Sequence, residues 1–85
     1  MPPACALYPN PASGAVTAAY GAGGGGGPRG LEVHNALGQL VLRAGVTAGA
    51  GATRLELGAL APGLYQVTLV GGGRPLATRR LAVAP

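Results

Sequence analysis

Apolar and polar residues alternate in short runs along this chain, and each run reads as a half-buried β-strand. The clearest follows Leu60-Ala61-Pro62-Gly63. Pro62 presets φ for the second position of a turn, and Gly63 can take the positive φ wanted at the third. Tyr65, Val67 and Leu69 then fall on one face, with Gln66 and Thr68 on the other. This strand is expected to be central.

The other runs are weaker copies of the same pattern. Leu7-Tyr8 begins a short strand, and Pro9 through Gly14 is expected to turn, because each proline biases the residue before it away from helix. Val16, Ala18 and Tyr20 alternate, as do Leu31-Glu32-Val33-His34. Asn35-Ala36-Leu37-Gly38 suits a type I turn closed by a glycine bulge. Leu40 and Leu42 are expected to share a face on the returning strand. Leu55 and Leu57 point inward from the next, Gly71-Gly72-Gly73 makes a hairpin, and Leu81 and Val83 share a face at the end.

About seven short strands at this spacing predict an all-β, immunoglobulin-like antiparallel β-sandwich. Its expected core is Val16, Val33, Leu55, Leu57, Val67, Leu69, Leu81 and Val83, with Leu7, Leu42 and Tyr65. Residues 1–6 read as a linker end and residues 7–85 as one domain.

Composition sharpens this picture in a few places. The chain has 85 residues, enough for one domain with one modest core. It holds 17 Gly and 8 Pro, a content bordering on that of disordered chains, yet its Leu and Val residues are patterned. The Gly21–Gly27 run matches a dinucleotide-loop spacing only by its glycine content. A strand and not a helix is expected after it, so it reads as a soft connecting loop.

The net charge is +4, but the arginines are dispersed and no aromatic residues are interleaved with them. That argues against nucleic acid as a partner. A single cysteine, Cys5, excludes an internal disulfide and a cysteine-rich zinc cluster. No apolar run reaches the roughly 20 residues of a membrane helix, so no membrane insertion is expected.

Candidate chemistry is sparse. The chain has one Ser (Ser13), one His (His34) and no Asp. A Ser-His-Asp triad has no acid short of a glutamate substitute. Glu32 and Glu56 lie on polar faces of alternating strands, where carboxylates are ordinarily solvated. Neither an enzyme nor a cofactor is expected.

Four segments, taken together, point elsewhere: Leu7-Tyr8-Pro9-Asn10-Pro11 with Ser13-Gly14; Val33 through Gln39, including Gly38; Leu60-Ala61-Pro62-Gly63-Leu64-Tyr65; and the closing Arg80-Leu81-Ala82-Val83. In this order they resemble the C-terminal sorting domain of the type IX secretion system (the Por secretion family, type A), over about residues 7–85. The resemblance implies a non-catalytic address, carried at the end of a larger cargo protein. It also implies transit through the periplasm, recognition by the outer-membrane translocation machinery, and removal by a sortase-like cysteine peptidase as the cargo reaches the cell surface or medium.

Motif residues on this reading are Leu7, Tyr8, Pro9, Asn10, Pro11, Gly38, Pro62, Gly63, Tyr65, Arg79, Arg80, Leu81 and Val83, with Arg79 and Arg80 the expected direct contacts. Arg79 shares the phase of Leu81 and Val83, so it must sit at a strand end, a bulge or an edge. The last strand is expected to offer an open edge to the transporter. The alternative is an immunoglobulin-like module binding glycan or protein at the cell surface, for which the three tyrosines supply few aromatic platforms.

Overall fold

The computed structural model describes residues 5–20, 29–46, 51–58 and 60–85. The described residues form seven strands: β1 (Ala6–Ser13), β2 (Ala15–Ala19), β3 (Arg29–His34), β4 (Leu40–Val46), β5 (Ala52–Glu56), β6 (Gly63–Gly71) and β7 (Arg74–Val83). The reading of Gly21–Gly27 as a soft loop, and most of the linker end at residues 1–6, lie outside the described residues.

The strands pair in the order β4-β3-β6-β7-β1-β2-β5. This order folds into two sheets, β4-β3-β6-β7 and β1-β2-β5, so the architecture is the expected β-sandwich with β6 inside the larger sheet. The first strand belongs to both sheets. Its start runs antiparallel to β2, with Leu7 opposite Ala18, and its end runs parallel to β7, with Ala12 opposite Val83. Switching one strand between sheets ties the two layers together at their side, a device seen in immunoglobulin-like sandwiches.

The prolines therefore do not end β1, as the sequence suggested they would. Pro9 and Pro11 lack N–H groups and cannot ladder, so the register breaks between Tyr8 and Ser13 and the strand crosses from one layer to the other. The Tyr8–Pro9 and Asn10–Pro11 peptide bonds are both cis. The reversal comes later, at Gly14, whose φ is +84°.

The core lies between the layers. Val16, Val33, Leu55, Leu57, Val67, Leu69, Leu81 and Val83 are buried, and Leu7, Leu42 and Tyr65 pack half-buried against them. Leu31, Ala12, Ala18 and Tyr20 join the buried set. The Tyr20 hydroxyl shares a 2.6 Å hydrogen bond with the Thr53 hydroxyl, so its polar end is satisfied beside the core.

Two bulges interrupt the alternation. Val33 faces Leu42 but His34 faces Leu40, which leaves Val41 as an extra residue on β4. The bulge breaks the expected sharing of one face by Leu40 and Leu42: Leu42 packs toward the core while Leu40 is exposed. On β7, Leu76 is extra between Pro75 and Ala77. Its side chain lies over Gly71, where an added Cβ would stand 2.9 Å from the Leu76 Cδ1. The β6–β7 hairpin closes through Gly72 and Gly73 at φ of +60° and +78°. Both being positive makes it a type I′ turn, which matches the twist of the strands it joins.

Candidate recognition surface

The loop between β3 and β4 is built by one asparagine. The Asn35 carbonyl accepts from Gly38 N at 3.0 Å, closing the expected turn, and Gly38 takes φ of +82°. Asn35 Oδ1 accepts from the backbone N–H groups of Leu37 and Gln39, each at 2.9 Å. Its Nδ2 donates to Gln39 Oε1 at 2.8 Å. The turn's polar groups are thus largely consumed internally, which fixes its shape.

Beside this turn begins β6. Gly63 has a positive φ as expected, but at +155° it is more extended than the roughly +80° of a type II turn. Tyr65 packs half-buried against the core, and its hydroxyl donates to the Ala61 carbonyl at 2.6 Å. A tyrosine bonding back to the backbone a few residues upstream pins the corner where the chain enters the strand. Leu64, one residue earlier, points outward and is 69% exposed.

Next to β6, β7 places Arg80 opposite Gln66. Together the Asn35–Gly38 turn, the Leu64–Gln66 segment and Arg80 enclose a shallow groove of about 300 Å³. Gly38, Tyr65 and Arg80 come from three of the four motif segments, and the fold brings them to this one place.

The fourth segment reaches the same strand from the other side. Asn10 Nδ2 donates to the Arg80 carbonyl at 2.9 Å, and Asn10 Oδ1 accepts from Ala82 N at 3.0 Å. One residue pair further, Ala84 N donates to the Ala12 carbonyl at 2.7 Å. The carboxamide of Asn10 stands in for a strand's peptide group at the point where its proline neighbours cannot donate. The expectation of an open edge on the last strand is therefore corrected. Among the described residues, the edge of β7 is occupied over Arg80–Ala84 and has no strand partner over its earlier half.

Arg79 lies in that earlier half, opposite Val67 and in the inward phase, and it is exposed. The edge position resolves its unusual alternation. Its Nη1 donates to the Thr78 carbonyl at 2.8 Å. Its charge also acts on Cys5: burial pushes the Cys5 thiol up from its ordinary value of 9.0, and the Arg79 guanidinium opposes the rise.

The remaining motif residues do not converge on the groove. Leu81 and Val83 are buried, Leu7 is half-buried against the core, and Pro9, Pro11 and Pro62 are exposed in backbone-shaping positions. Tyr8 is 53% exposed on β1, away from the groove. Sequence reasoning missed Leu64, Gln66 and Asn35 as groove residues. The signal was present for Leu64: it shares the phase of Gln66 and Thr68, and so is a leucine on a polar face.

Among the described residues no three His, Cys, Asp or Glu side chains gather as a metal site would require. Glu32, half-buried, faces the exposed Arg43 at 3.6 Å, and Glu56 faces Arg54 at 3.0 Å in an exposed pair. No described helix is long and apolar enough to cross a membrane.

Over residues 6–84 the chain matches the family of the secretion system C-terminal sorting domain. A search of curated proteins finds none that matches the chain.

Proposed function

Since this chain belongs to the family of secretion system C-terminal sorting domains, the tails that sort proteins for type IX secretion, we propose that the export machinery reads it as a folded body at the groove between the Asn35–Gly38 turn, Leu64 and Arg80. The observation that carries this reading is the convergence of three motif segments on one groove, while the fourth locks the strand that bears Arg80. The domain supplies an address and no chemistry. Residues 7–85 form the sorting unit, and the cargo precedes it.

On this reading the cargo crosses the periplasm, the outer-membrane translocation machinery recognises the domain, and a sortase-like cysteine peptidase then removes it. Arg80, Gly38 and Tyr65 act at the recognition surface. Asn10, Pro9, Pro11, Pro62 and Gly63 shape the backbone that presents it. Leu7, Leu81 and Val83 hold the core behind it. Tyr8 and Arg79 are not among the residues that line the groove.

The test is export of a fluorescent reporter, carrying an ordinary signal peptide, fused ahead of residues 1–85 in a bacterium with the type IX machinery. Surface or medium fluorescence that disappears in a transporter-null strain is the expected result. Reporter retained in the periplasm of both strains would refute the sorting role.

A further inference from the structure

The groove also carries information about what fills it. We propose that it binds an extended acidic peptide segment of the export machinery, with a carboxylate on Arg80 and a neighbouring apolar side chain against Leu64 and Ala36. This rests on the sorting reading and names the chemistry of the partner.

The first argument is charge. Among the described residues lining the groove, Arg80 alone is charged. The chain has only two acidic side chains, and each faces an arginine elsewhere: Glu32 with Arg43 and Glu56 with Arg54. No carboxylate of the described residues forms an ion pair with Arg80, so the guanidinium presents its donors to an incoming acceptor. A net charge of +4 draws an acidic partner toward the domain as a whole.

The second argument is apolar exposure. Leu64 is 69% exposed and Leu37 is 82% exposed. Leu64 and Ala36 both line the groove, and Leu37 belongs to the same turn as Ala36. A single cation beside apolar side chains suits one carboxylate within a peptide. A membrane surface is recognised by clusters of several Lys or Arg, and this groove has one.

The third argument is preorganisation. Asn35 holds the turn with its own side chain, and Tyr65 pins the start of β6. Both walls are set before a partner arrives, so little ordering entropy opposes binding.

The experiment uses the reporter fusion with Leu64 replaced by the photo-crosslinker p-benzoylphenylalanine, and maps the captured segment by mass spectrometry. In parallel, Arg80→Glu, Arg80→Lys, Leu64→Glu and, as a control at the far end of the same strand, Arg74→Glu are compared for export. Thermal melts of each 1–85 variant show that it is folded. Asn10 bonds the backbone of Arg80 and not its side chain, so Arg80→Glu leaves that bond in place.

The expected result is a crosslinked machinery segment containing Asp or Glu. With it, Arg80→Glu and Leu64→Glu lower export by about tenfold or more, Arg80→Lys stays within about threefold of wild type, and Arg74→Glu is unaffected. A captured segment without acidic residues, a captured lipid or glycan, or unchanged export of folded Arg80→Glu would overturn the proposal while leaving the sorting role standing. If the unsubstituted fusion itself fails to leave the cell, the sorting reading fails and this inference falls with it.

Discussion

At the scale of single residues, Asn10 is the side chain that behaves most like backbone. It lies between two prolines that cannot donate, and its carboxamide makes the two bonds to β7 that a peptide group would have made. Asn10→Ala removes both, and the domain should lose about 1–2 kcal/mol, measurable as a lower midpoint in denaturant. Asn10→Asp should cost a similar amount: it keeps the acceptor for Ala82 N but loses the donor and sets a negative charge against the Arg80 carbonyl. Cys5 makes a second residue-scale case. It is 5% exposed and its pKa is raised by burial, so its thiol should alkylate far more slowly in the native domain than in urea, as followed by mass spectrometry. The folded state holds the thiol proton more tightly than the unfolded chain does. Stability should therefore fall as pH rises past the ordinary thiol value of 9.0, and level off above the raised native value.

At the scale of elements, alternation announced the strands because each buries one face, and period-2 patterning is a direct consequence of that. The bulges at Val41 and Leu76 were not legible. An extra residue leaves no mark on the pattern until a partner strand fixes the register, and Leu40-Val41-Leu42 is apolar throughout. The buried Ala12 was invisible for another reason: alanine fits either face, so only the assembled layers show that it lies in the core, whereas Ala18 shares the phase of Val16. The recognition groove was half legible. Its motif residues could be read in order, but their meeting depends on the pairing of Gln66 with both His34 and Arg80, which sequence separation hides. The hairpin turn permits a quantitative check. With Gly72 and Gly73 both at positive φ, replacing Gly72 by Asn should be neutral or stabilise by about 0.5 kcal/mol, while Gly72→Val should destabilise by about 1 kcal/mol or more in thermal melts.

At the scale of the molecule, removing Leu81–Pro85 deletes two core side chains and the β7 end that β1 grips. Losing a buried leucine costs about 2–5 kcal/mol even when alanine replaces it, and small domains hold about 5–15 kcal/mol in all. The truncated domain should lose its cooperative melt by circular dichroism, so a loss of export on truncation would report unfolding as much as a missing contact. The pairing of the first strand with the last also has a mechanical consequence. Because β1 and β7 run parallel where they meet at Ala12 and Val83, their outer ends point in opposite directions along the body. A pull on the cargo, resisted by a grip near the C-terminus, would slide these strands lengthwise past each other. The bonds at Arg80, Ala82 and Ala84 would then bear the load together instead of parting one at a time. Single-molecule stretching from the two ends should give a rupture force that drops in Asn10→Ala. A tail drawn through a membrane by its cargo would in this way be shaped as a shear-loaded clasp.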